Sequence, residues 1–204
     1  NSPFGFQSFG HRDGSAPTMG LERYFINSSD TNLYFTGDPV ALSSAAYGVL
    51  APYHGSSVVP RVAGIFAGCE YFLPAINRVT WSSYFPGSVS SSSPVTAYVI
   101  SDPEMTFKVQ ASSAGFGSSM VGGNVNIVDA QSSLGNQTTG LSVVTIASSL
   151  GLTAGSSYPF VIIDSYSNFA PPGANGTDNS SAFNIMIVGF NNTFRHAPIT
   201  GVTT

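Results

Sequence analysis

Charge is what this sequence has least of. Lysine and arginine together number six and aspartate and glutamate ten in 204 residues, so 8% of the chain is charged, against about 25% in a typical domain. One lysine, Lys108, and a net charge of −4 argue against nucleic acid as a partner, since phosphate binding needs clustered cations. The single cysteine, Cys69, excludes a disulfide framework and any locally spaced zinc motif. In its apolar run it reads as a small buried hydrophobe. Long apolar stretches are missing too. Phe160–Ile163 and Ile185–Val188 fall far short of the ~20 residues of a spanning helix, so no membrane partner is expected. The chain opens at Asn1 with no charged-then-apolar leader pattern, and no signal peptide is visible in it.

What is present is material for a core. Hydrophobic residues make up 42% and aromatics 12%, which argues against disorder. A chain of this length buries roughly 70% of its unfolded surface without staples. Serine and threonine, 47 together, and 22 glycines must supply much of the polar surface. Such low charge has two readings: a secreted protein, or one whose surface is covered by partners in an assembly.

Valine, isoleucine, threonine and aromatics cluster in short runs punctuated by Gly, Pro, Ser and Asn, the signature of many short strands. Strands are expected over Leu21–Asn27, Asn32–Thr36, Val40–Leu42, Arg61–Phe72, Asn77–Phe85, Val95–Ser101, Met105–Ser112, Leu141–Ala147, Tyr158–Asp164 and Phe183–Phe190. Met105, Phe107, Val109 and Ala111 alternate with polar residues, the period of a half-buried strand. Gly64 and Gly68 inside one run suggest a bulge or a close backbone approach. Val143, Ile146, Ala147 and Leu150 have helical spacing, but β-branching there favours a strand. Any true helix should be a turn or two near Met120–Val125. Ser88–Pro94 and Ala170–Ser181 read as long loops. The fold class is therefore all-β, one β-sandwich or β-barrel domain over 21–204. Residues 1–20 carry Phe4, Phe6 and Phe9 but no strand pattern. They read as an extended arm that must pack on its own body or on a neighbour. Removing that arm is expected to leave the body folded.

Catalytic motifs are missing. The chain has no G-x-S-x-G elbow, no P-loop, no G-x-G-x-x-G after a strand and no H-x-x-x-H pair. Asp102 and Glu104 flank Pro103 in an expected turn. Asp129, Asp164 and Asp178 have no calcium-loop spacing and read as caps and turns. His11-Arg12-Asp13 and Arg195-His196 fit inter-subunit ion pairs or hydrogen bonds better than an activated histidine, and His54 reads as a loop residue. Trp81, Tyr84 and Phe85 with Arg78 form a possible sugar-stacking platform, although strand-borne aromatics ordinarily belong to the core. Sequons at Asn27, Asn136, Asn175, Asn179 and Asn191 matter only in a eukaryotic secreted protein. No enzymatic activity, catalytic residue, metal or cofactor is expected.

One resemblance runs along nearly the whole chain. Pro3-Phe4-Gly5-Phe6 with His11-Arg12-Asp13-Gly14-Ser15 is similar to the openings of small structural proteins of tailed bacteriophages. Leu33-Tyr34-Phe35-Thr36-Gly37-Asp38-Pro39-Val40 resembles their "lFtGDpVkl" segment, and Gly64-Ile65-Phe66-Ala67-Gly68-Cys69-Glu70-Tyr71 their "GvfaGc-y" run. Trp81–Gly87, Val99–Pro103 with Phe107–Ala111, Thr139–Ser142 and the closing Ile185–Gly189 follow in the same order. The family is that of capsid decoration, or cement, proteins. The resemblance implies a virion protein on the outer capsid surface, bound to the major capsid protein and to copies of itself as a dimer or trimer. Phe4, Phe6, Phe9, His11, Arg12, Arg195 and His196 are the residues expected to make those contacts. The alternatives are a head-fibre or tail-associated sugar-binding module, needing an exposed aromatic groove at Trp81 or Tyr84, and a secreted β-sandwich hydrolase or lectin. The latter needs Asp102, Glu104 or Asp164 to converge within ~10 Å.

Overall fold

The structure is a computed structural model that describes residues 3–16, 20–43, 48–53, 55, 61–89, 95–112, 116–128, 135–147, 158–166 and 182–195. Its strands, in chain order, are β1 (Gln7–His11), β2 (Leu21–Ile26), β3 (Tyr34–Phe35), β4 (Pro39–Leu42), β5 (Leu50–Pro52), β6 (Val62–Leu73), β7 (Arg78–Ser82), β8 (Tyr84–Phe85), β9 (Val95–Ile100), β10 (Met105–Gln110), β11 (Asn124–Val125), β12 (Gly135–Asn136), β13 (Leu141–Ser142), β14 (Phe160–Ser165) and β15 (Ile185–Phe190). Among the described residues the helical segments are two 3-10 turns, Ser118–Met120 at the edge of the expected stretch and Pro74–Ile76 outside it. The expected Ser88–Pro94 loop lies largely, and Ala170–Ser181 wholly, outside the described residues.

Two open antiparallel sheets face each other, so the chain is a sandwich rather than a closed barrel. The first runs β1-β10-β15-β14-β11; the second runs β2-β9-β6-β4-β5, with β7 beside β6. The Asp102–Glu104 turn carries the chain from one sheet to the other. There the Asp102 carboxylate accepts from the Glu104 N–H at 3.0 Å, as a turn around Pro103 requires.

The space between the sheets is filled by Met105, Phe107 and Val109 of β10, Phe160 and Ile162 of β14, Met186, Val188 and Phe190 of β15, and Ala41, Val62, Ile65 and Ile100 of the second sheet. The β10 alternation therefore faces inward as its period predicts. The second sheet buries its other face as well. Ala63, Phe66, Cys69, Val95, Ala97 and Val99 pack beneath Tyr34 and Phe85 of the β3–β8 ribbon. Burial on both faces is why Val62–Phe66 reads as an unbroken apolar run. Gly64 sits against the Ile100 carbonyl, and the β6 register shifts between Phe66 and Gly68. Both features were legible from the two glycines.

Three expectations are corrected. The Asn77–Phe85 run is two strands in different layers, because the backbone leaves β7 at Ser83 to form β8 of the ribbon that packs on the second sheet. Leu141–Ala147 keeps only the short strand β13, then an isolated bridge at Ile146. Residues 1–20, expected to hold no strand, hold one, and of the two packings expected for them the described part takes the one on its own body. Gln7–His11 is the edge strand of the first sheet, paired antiparallel to β10, and Phe6 is 3% exposed among Phe107 and Phe160. An apolar ring beside an unpaired sheet edge gains both burial and ladder hydrogen bonds by joining its own body.

The Thr36-Gly37-Asp38 segment ties these parts together. The Phe6 N–H donates to the Gly37 carbonyl and the Gly37 N–H to the Phe66 carbonyl, while the Phe66 N–H donates to the Asp38 carbonyl at 2.8 Å. Gly37 has φ +97°, and a Cβ there would press on the Phe6 backbone at 3.0 Å; both features favour glycine. Asp38 is buried and accepts from the Phe35 N–H at 2.7 Å and from the Ser142 hydroxyl.

Candidate contact surface

The residues expected to touch a partner divide between core and surface. Phe6 is core. Phe4 and Phe9 turn to the outer face of the first sheet. The β1–β10 register shifts between Ser8 and Gly10, so Phe9 is the extra, bulged residue, and bulges commonly re-aim a side chain. Its ring meets Tyr166 edge-on at 6.0 Å. Between Phe4 and Tyr166 lies the ammonium of Lys108, 5.8 Å from each ring centroid, within cation–π range. Lys108 and Tyr166 were missed at sequence level. The one signal was that the chain's only lysine occupies the outward phase of β10.

At the far end of β1, a protonated His11 donates from Nδ1 to Asp13 at 2.8 Å and from Nε2 to Asp102 at 3.1 Å. Ser15 completes the loop, its N–H donating to Asp13 at 2.8 Å and its hydroxyl lying 3.1 Å from His11 Nδ1. The hydrogen bond to Asp13 and then that to Asp102 raise the His11 pKa above its usual value. Asp13 is held well below the usual carboxylate range by the Ser15 hydroxyl and N–H, then by His11. Arg12 lies across Gly189 and donates to the Phe190 carbonyl at 3.1 Å. The pairing expected between subunits for this triplet is instead made within one chain. Arg195 likewise pairs with Glu22 of β2, and His196 lies outside the described residues, as does His54.

The aromatic group separates. Phe85 is core and Tyr84 stacks on Phe35 at 5.7 Å, both in the ribbon layer. Trp81 departs from the core expectation, with half of its surface exposed. It stands on the edge strand β7, beyond the part of the second sheet that the first one covers. Tyr98 and Arg23, unmarked by any motif, are its neighbours in this layer. Asp164 accepts from the next N–H, of Ser165, at 2.7 Å on β14, whereas Asp102 serves the β9–β10 turn. Asp129 and Asp178 lie outside the described residues. Among the described residues no group of three or more His, Cys, Asp and Glu is placed to hold a metal ion. Of the sequons, Asn27 and Asn136 are exposed and Asn191 is buried, donating to the Tyr158 carbonyl at 2.9 Å; Asn175 and Asn179 are outside the described residues. No family model, no curated protein and no solved structure matches the chain.

Proposed function

We infer that this chain is a bacteriophage capsid decoration protein, a non-enzymatic cement on the outer surface of the assembled head that clamps neighbouring major capsid subunits. One observation carries the reading beyond the resemblance: little charge combined with many exposed large apolar side chains. Val79 and Phe194 are about 60% exposed, and Phe9, Phe25 and Ile76 between 39 and 55%. A free protein gains nothing by leaving such groups in water, whereas an assembly covers them. The outer face of the first sheet, with Phe4, Phe9, Lys108 and Tyr166, is the surface assigned to the shell or to a neighbouring copy. Dimers or trimers suit the sites that capsid symmetry axes offer. A protein that binds the shell but not its separate parts stabilises assembly by mass action, and many weak contacts add up across the particle.

The test is the copy number of this chain in gradient-purified particles, measured by quantitative mass spectrometry against the major capsid protein. Occupancy of every local site gives a ratio between about one-third and one. A handful of copies, or none, overturns the reading. Replacing Phe9 and Lys108 by alanine together should strip the protein from shells without unfolding it.

A further inference from the structure

The uncovered part of the second sheet carries a constellation that the capsid reading does not use. Register places Arg23, Tyr98 and Gly68 side by side across β2, β9 and β6, and Glu70 beside Trp81 on the adjoining row. Gly68 is the device that joins the rows. With no Cβ there, the six-membered ring of Trp81 leans onto the Gly68 backbone, where a Cβ would stand 2.5 Å from it. The indole thereby reaches Tyr98 at 5.2 Å, tilted by 51°. The Arg23 guanidinium lies 5.7 Å from the other ring's centroid, and the Tyr98 hydroxyl donates to Glu70 at 2.9 Å.

These polar groups are held but not used up. Among the described residues the Trp81 indole N–H, the Arg23 guanidinium and the second Glu70 oxygen have no hydrogen-bond partner. An exposed aromatic ring attracts the weakly positive C–H face of a pyranose. A carboxylate oxygen accepts from sugar hydroxyls and a guanidinium donates to them. The two charges cancel, which favours a neutral ligand. A nucleic-acid backbone is disfavoured by the adjacent carboxylate and the acidic chain. A second protein copy would have to desolvate Arg23 and Glu70 near the centre of the contact.

We propose that Trp81, Tyr98, Arg23 and Glu70 form a binding site for a neutral pyranoside with vicinal hydroxyls. The site is independent of shell binding, because it lies on a different sheet from Phe4, Phe9 and Lys108. Trp81 is the only tryptophan in the chain, so its emission and its single indole N–H resonance report on this site alone. The full chain is titrated with methyl α-glucoside, maltose and N-acetylglucosamine. At least one sugar should shift both signals saturably, with a midpoint of about 1 mM as an open site allows. Arg23→Ala and Glu70→Gln should each weaken that midpoint about tenfold with an unchanged melting temperature, a loss expected when one charged hydrogen-bond partner is removed. The proposal is overturned if no sugar gives a saturable shift up to its solubility, or if both variants bind as well as the original. An emission shift that depends on protein concentration without sugar also overturns it, since a second copy then covers the face. Particle copy number is untouched by any of these results, so failure here and failure of the capsid reading are separable.

Discussion

His11 and Asp102 are ninety-one residues apart in sequence and 3.1 Å apart in space, joining the end of β1 to the turn where the chain crosses between sheets. The imidazole also bridges to Asp13, so one protonated ring links two carboxylates across an edge strand.

That link has a pH signature. The folded pKa of His11 lies above its ordinary 6.5. Its stabilising contribution is therefore complete below pH 6.5 and lost as pH rises through the folded value. His11→Gln should flatten the melting temperature across this window, and the ring's own titration by NMR should show the raised midpoint. A His11 midpoint at or below 6.5 would contradict the bridge.

Phe6 and Phe9 should behave oppositely. Phe6→Ala removes a buried ring at 4.5 Å from Phe160 and should cost about 3–5 kcal/mol in urea unfolding. Phe9→Ala, on the surface bulge, should cost less than about 1 kcal/mol. Deleting residues 1–20 should destabilise the body too, because it removes a strand and a core ring. Point variants at Phe4 and Phe9, not truncation, are the way to test shell binding.

Asp38 is a buried carboxyl whose pKa burial pushes up to about 6 from 3.8. The unfolded chain ionises first, so the folded state loses stability as pH rises past 3.8, and the penalty is complete above about 6. At neutral pH the shift corresponds to roughly 3 kcal/mol at most. Asparagine keeps an acceptor for the Phe35 N–H. Asp38→Asn should therefore be at least as stable as the original at pH 7 and should lose the decline between pH 4 and 6. Equilibrium unfolding at several pH values decides this.

Cys69 is fully buried against the ribbon layer, and burial pushes its thiol up to about 12. At pH 7 it should resist a thiol reagent in the native state and react at once in urea. Labelling rates would then report opening of the second sheet, and rapid native labelling would contradict its burial.

The amino-acid pattern by itself determined the all-β class, the long central run of β6 with its two glycine irregularities, the inward alternation of β10 and the turn at Asp102-Pro103-Glu104. Each of these rests on local chemistry: β-branching, period, φ freedom or a proline. Tertiary structure alone decided the rest. It made residues 7–11 a strand, because an edge strand's pairing depends on the partner's register and not on its own alternation. It split the Asn77–Phe85 run between layers and left Trp81 exposed, since burial depends on how far the opposing sheet extends. It gathered Arg23, Glu70, Trp81 and Tyr98 from four strands, and Phe4, Phe9, Lys108 and Tyr166 from distant segments. No linear motif marks such sets, because cross-strand neighbours are set by register between segments far apart in the chain.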